Sequence, residues 1–180
     1  RMNNWTLDLL ETVRDWAVGV LTDAGCPPAE AIISHCVPRG NPGCCDPELS
    51  VYLDPITFPD PTEPQYAFGR CATRPPIFRV WVEVRRPWCA NLTPEGVPTP
   101  DEVQEATETV YLDCFDALLC AALAAVCNPG VILPERPNAA PCPEGVFLVS
   151  PQLICPEGGC AGWRLGFDVP YGSVVREVAP

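Results

Sequence analysis

The chain has 180 residues, 47% of them apolar, which is enough for one domain with a proper core. Its 23 carboxylates face only 11 cations, every one an arginine, for a net charge of −12. That balance argues against gripping phosphate backbones, which requires cationic side chains to displace counterions. No run approaches the roughly 18–20 apolar residues of a membrane span. The longest, 117–127, reads as a buried helix. The start of the sequence has no charged region followed by an apolar run and a small-residue cleavage site, so no secretory signal is expected. The 24 prolines gather in 36–47, 54–64, 74–76, 87–100 and 129–143. Proline fixes φ and lacks a backbone donor, so these segments are expected to be stiff loops rather than sheet interior.

In chain order, the first 25 residues carry an amphipathic helix over 5–24. Trp5, Leu9, Val13, Trp16 and Val20 recur at helical spacing, widened by Leu10, Ala17 and Leu21. Gly25 followed by Pro27 and Pro28 ends it. Strands and proline-rich loops are expected over 31–86, with short strands at 31–37 and 49–53. The clearest strand is 77–86, where Phe78, Val80, Val82 and Val84 alternate with Arg79, Trp81, Glu83 and Arg85. A second helix is predicted over 99–127. It opens on a capping box with Thr99 as N-cap, Pro100 at the first helical position and Glu102 three residues on. The second half of that helix is apolar all round, which predicts cover on more than one side. Residues 145–170 read as a hairpin, with arms at 145–155 and 160–169 joined by Pro156-Glu157-Gly158-Gly159. The resulting expectation is a single α+β domain spanning 1–180. It comprises an antiparallel sheet of about four to five strands, two main helices packed on one face, and long proline-rich loops.

Twelve cysteines stand at positions 26, 36, 44, 45, 71, 89, 114, 120, 127, 142, 155 and 160. No C-x2-C pair occurs, so no metal site is expected. His35 is the only histidine, and no nucleophile signature surrounds any cysteine. Cys114, Cys120 and Cys127 fall on the predicted helix as small buried apolar residues. Cys155 and Cys160 flank the hairpin turn and are placed for a cross-strand disulfide. One or two disulfides among free thiols are expected. Asp101, Glu102, Glu105 and Glu108 read as a solvated helix start, with Asp113 and Asp116 on the polar side. Nucleotide, phosphate-loop, hydrolase and zinc-protease motifs are all missing, so neither catalytic residues nor a cofactor is expected. Asn4-Trp5-Thr6 and Asn91-Leu92-Thr93 match the glycosylation triplet, which matters only for a secreted chain. Trp81 and Arg85 on the outward face of the best strand, with Trp88 beyond it, are candidate interface residues. The alternative, aromatics tucked beneath loops, stays open.

One pattern carries a family resemblance. It consists of the run Cys44-Cys45-Asp46-Pro47-Glu48-Leu49-Ser50-Val51-Tyr52-Leu53, Pro59, Cys71, 78–86 with Pro87 and Cys89, 96–102, 113–119, and Gly162-Trp163-Arg164-Leu165-Gly166-Phe167-Asp168-Val169. Over about 40–170 this order resembles the head-to-tail connector proteins of siphophages infecting actinobacteria, the tail terminators. A composition without lysine agrees with phages of GC-rich hosts. The resemblance implies a non-enzymatic virion protein at the tail–neck junction, assembled in the host cytoplasm. It implies a homohexameric ring that caps the tail tube and meets stopper or connector proteins of the head, with genomic DNA passing through its lumen unread. A neighbouring neck protein, such as a stopper or head-completion protein, fits the same pattern. A secreted, disulfide-stabilised binding module and a metal- or thiol-dependent enzyme are the readings from other classes. The N-terminal helix and the proline-rich insertions exceed what the simplest version of the family fold needs.

Overall fold

A computed structural model of the chain describes residues 5–34, 48–54, 77–87, 99–108, 113–134, 146–157 and 160–170. His35, Trp88 and most of the proline-rich segments expected as stiff loops lie outside those residues. The elements are α1 (Trp5–Asp23), β1 (Ala31–Ser34), β2 (Leu49–Leu53), β3 (Ile77–Pro87), α2 (Pro100–Thr107), α3 (Asp113–Cys127), β4 (Phe147–Glu157) and β5 (Cys160–Pro170). A short 3-10 turn, Pro129–Val131, follows α3.

The five strands form one sheet in the order β1-β2-β3-β5-β4. β3 pairs antiparallel with both β2 and β5, and β4 pairs antiparallel with β5. The β1–β2 pair is parallel, with Ala31 opposite Leu49, so the sheet is mixed rather than wholly antiparallel. Parallel neighbours need a crossover of about a dozen residues, and the stretch 35–48 is long enough to supply one. Alternation along a strand fixes which face each side chain takes but not the direction of the neighbouring strand.

The alternating residues of β3 divide the sheet as predicted. Val80, Val82 and Val84 are fully buried with Trp163, Leu165, Phe167 and Val169 of β5. α1 and α3 cover this face, and Leu9, Val13, Ala17, Leu21, Leu118 and Ala122 complete the core. Among the described residues, edge-to-face aromatic pairs mark the seam. Trp5 meets Phe78 at 5.6 Å, Trp16 meets Phe167 at 5.5 Å, and Phe115 meets Trp163 at 5.3 Å between ring centroids.

α1 ends as the sequence predicts. Gly25 takes φ 78°, Cys26 N–H donates to the Leu21 carbonyl at 2.8 Å, and Gly25 N–H donates to Thr22 at 3.0 Å. These two bonds make a Schellman cap that only a residue at ease with positive φ can close. Cys26 then forms a disulfide with Cys114 at the start of α3, across a sequence separation of 88. Arg86 of β3 reinforces this corner by donating to the Cys26 carbonyl at 2.6 Å and to Glu48 Oε2 at 2.5 Å.

One expectation about the second helix needs correction. The region 99–127 holds α2 and α3, and residues 109–112 between them lie outside the described set. The capping box is present, Thr99 Oγ1 accepting from Glu102 N–H at 3.3 Å and Glu102 Oε2 accepting from Thr99 N–H at 2.8 Å. The apolar second half, expected to be covered on more than one side, is covered on one. Leu118, Ala122 and Ala125 are buried, whereas Cys120, Leu123 and Cys127 are exposed. α3 forms the outer layer of the described structure, with the sheet and α1 on its inner side and no third layer beyond it among the described residues.

Candidate functional site

The sheet face opposite the helices is where the outward-pointing residues of β3 meet their cross-strand partners. Arg79 lies opposite Asp168, Trp81 between Tyr52 and Gly166, and Glu83 between Ser50 and Arg164. Each charge on this face has an opposite charge or a hydrogen bond in reach. Arg79 grips Asp168 with two bonds of 2.7 and 2.9 Å. Asp168 accordingly holds the Arg79 guanidinium above its ordinary pKa, which keeps this fork charged. Glu83, only 3% exposed, accepts from Tyr52 Oη at 2.8 Å and from Arg85 Nε at 2.7 Å. Arg164 donates to Gln152 Oε1 at 2.7 Å, and its guanidinium lies 4.5 Å from the centre of the Trp81 ring. Trp81 Nε1 donates to Asp54 at 3.2 Å.

Gly166 makes room for this layer. A Cβ there would stand 2.9 Å from both the Trp81 ring and the Val149 side chain. The indole can therefore lie flat across β5 under Arg164. Burial, opposed by the hydrogen bond from Arg164 and reinforced by Glu83, pushes the Tyr52 phenol up to about 12. It remains a neutral donor to Glu83 throughout the physiological range.

Three arginines (Arg79, Arg85, Arg164) balance three carboxylates (Asp54, Glu83, Asp168) in this layer. A layer tied together by these hydrogen bonds and ion pairs stiffens the sheet. No group of three or more metal-ligating side chains occurs among the described residues. Trp81, expected as an exposed interface aromatic, lies on the predicted face but is 4% exposed, roofed by Arg164 and tied to Asp54. Arg85 is partly exposed and bound to Glu83.

Cys160 is disulfide-bonded, but the sulfur it joins belongs to none of the described side chains. The expected Cys155–Cys160 pairing therefore falls on a side chain outside those described. Cys120 and Cys127, predicted as buried, are free and exposed. Cys114 is buried as predicted, but as half of a disulfide.

Two surfaces stand apart from this paired layer because they are apolar and exposed. One is the outer face of α3. The other is β4, which forms one edge of the sheet. Residues 147–156 of β4 carry no charge, and Phe147 and Leu153 are 60% and 67% exposed. Phe147 lies opposite Asp168 on the helix-free face, and Leu153 lies opposite Trp163 on the helix side. Register shifts separate Val149 from Gln152 and Ile154 from Glu157, the stretches that contain Pro151 and Pro156. Sequence reasoning had the signal for this strand, an uncharged run before the hairpin turn, but not the strand order that places it at the edge of the sheet.

No protein-family model matches the sequence, and no curated protein matches it.

Proposed function

We propose that this chain is a non-enzymatic assembly subunit of a tailed-phage neck. Copies form a ring, a homohexamer in the tail-terminator reading, that caps the tail tube and joins it to the head connector. The observation that carries the assembly reading is the β4 edge. Natural sheets protect long edges with charge, cover or a bulge, because open backbone groups recruit other strands. β4 has prolines and register shifts but no charge across 147–156, and it presents Phe147 and Leu153 outward on both faces. Such an edge resists indiscriminate pairing yet suits one shape-matched partner. A ring closes through a heterologous contact, in which one surface of a subunit meets a different surface of the next. The phage assignment itself rests on the sequence pattern over 40–170. A net charge of −12 suits a lumen that lets DNA slide through without holding it.

The test is the mass and shape of the protein alone and mixed with tail-tube subunits, by light scattering and negative-stain microscopy. Rings, or caps on one end of the tubes, are expected, and Leu153→Lys should abolish them while leaving the monomer folded. A subunit that stays monomeric and ignores tubes overturns the reading.

The Cys26–Cys114 disulfide favours a second reading, a secreted binding module, since such bonds persist in oxidising compartments. The free thiols of Cys120 and Cys127 weigh against it. Near-complete oxidation of the twelve cysteines in protein from its natural source would restore it.

A further inference from the structure

We propose that the Cys26–Cys114 disulfide is a redox switch on the first turn of α3. Oxidised, it holds Phe115 over the Trp163 indole; reduced, it lets that turn open and admit water. The first observation is an orphaned donor. Among the described residues, Trp163 Nε1 is the buried side-chain nitrogen or oxygen left without a hydrogen-bond partner. Trp163 is fully buried in the core, whereas the Trp81 indole on the opposite face of the sheet donates to Asp54. An N–H taken out of water without an acceptor destabilises the closed arrangement at that point, and a local opening that admits water relieves it.

The second observation is the cover over this indole. The half-buried Phe115, next in sequence to Cys114, meets Trp163 edge-to-face at 5.3 Å. The helix that carries it is lightly held. The buried residues of α3 among those described are Cys114, Leu118, Ala122 and Ala125, of which Leu118 alone is large. α1 by contrast buries a tryptophan, three leucines and a valine. Hydrophobic hold scales with the apolar area removed from water, so α3 is the helix that parts from the sheet first.

The third observation is the place of the bridge. It fastens the turn that carries Phe115 to a corner with bonds of its own. Cys26 N–H donates to the Leu21 carbonyl at 2.8 Å, and Arg86 Nη2 donates to the Cys26 carbonyl at 2.6 Å. A dithiol reductant breaks the S–S bond, leaves its two hydrogens on Cys26 and Cys114 as thiols, and closes into its own disulfide. Phe115 then stays over Trp163 by packing alone. The turn opens in a reducing compartment and is locked in an oxidising one. Because the switch uses the inner side of α3 rather than β4, it stands or falls separately from the ring.

The indole N–H of Trp163 reports on the opening directly. In the nitrogen-15-labelled full chain its resonance is identified by its loss in Trp163→Phe. Its exchange with solvent is then measured with and without dithiothreitol, beside the backbone amides of Val82 and Leu165. Reduction is expected to speed the Trp163 exchange about tenfold or more and to leave those two amides unchanged. The Cys26→Ser, Cys114→Ser double variant, which keeps the bond to Cys160, should show the fast exchange without reductant. Replacing Trp163 by its benzothiophene analogue keeps the ring and removes the N–H. In the reduced chain this should slow exchange of the Leu118 amide about tenfold, since opening no longer rehydrates a donor. Trp163 exchange that ignores reduction overturns the switch. So does exchange that rises only together with Val82 and Leu165, the mark of global unfolding. Leu118 exchange as fast in the analogue as in the reduced wild type overturns the role of the donor.

Discussion

The Tyr52 phenol donates to Glu83 from a buried position, and its pKa of about 12 exceeds the ordinary 10.0. A raised acid pKa in the folded state means that the native protein binds the phenolic proton more tightly than the unfolded chain does. The associated stability is present in full below pH 10 and is lost as pH rises from 10 to 12. The loss amounts to about 2–3 kcal/mol and should appear as a falling denaturation midpoint, with one late-titrating tyrosinate in the ultraviolet spectrum. Tyr52→Phe should remove that late step and cost about 1–2 kcal/mol at neutral pH, since Glu83 loses a donor. The neighbouring glycines are equally exacting. Gly166→Ala should cost about 1–3 kcal/mol in a thermal melt by displacing the Trp81 ring. A Cβ at Gly162 would stand 1.9 Å from the Val84 carbonyl oxygen, so Gly162→Ala should cost more, because it drives apart the backbones of β3 and β5. The alternation in β3 made the division of its residues between two faces legible. The fate of Trp81 was not, because an arginine on another strand roofs it, and long polar side chains cover aromatic surface in a way that periodicity does not record.

At the scale of elements, helix boundaries were the most readable feature. The Gly25 stop and the Thr99 capping box were both visible because each depends on a few adjacent residues. Strand order and the parallel β1–β2 pair were illegible, since they depend on contacts distant in sequence. The Cys26–Cys114 bond was illegible for the same reason, twelve cysteines permitting too many pairings to choose among. Its energetic role is testable. Closing a loop of 88 residues restricts the unfolded chain by about 4–5 kcal/mol in the chain-entropy account, and measured values usually fall below that. A Cys26→Ser, Cys114→Ser double variant should lose stability of that order in urea denaturation. Arg86, which holds the Cys26 carbonyl, should then keep the corner closed only weakly.

For the whole molecule, hydrophobic periodicity and element order already indicated an α+β fold with helices on one face of the sheet, and the apolar residues of α1, α3, β3 and β5 form a single core. What composition hid was the contrast between surfaces. The charges of the helix-free face are consumed in pairs, while the exposed apolar residues sit on α3 and on the β4 edge. Net charge opposes any meeting of copies through those two surfaces. Association should therefore strengthen as salt rises from low to physiological concentration and the Debye length contracts to about 8 Å. Light scattering across that range would register the trend, and a fall in mass with salt would point instead to contacts made through the paired charges.

The cross-link between α1 and α3 also decides how the molecule transmits force. Tension applied at the two ends of the chain passes through the sulfur bridge and bypasses everything between Cys26 and Cys114, including β1, β2, β3 and α2. About 300 Å of contour length is thereby kept in reserve, inaccessible to pulling while the bridge is intact. Under a pull applied at the chain ends, the central strand β3 lies within the bypassed stretch and is shielded from the load while the bridge holds.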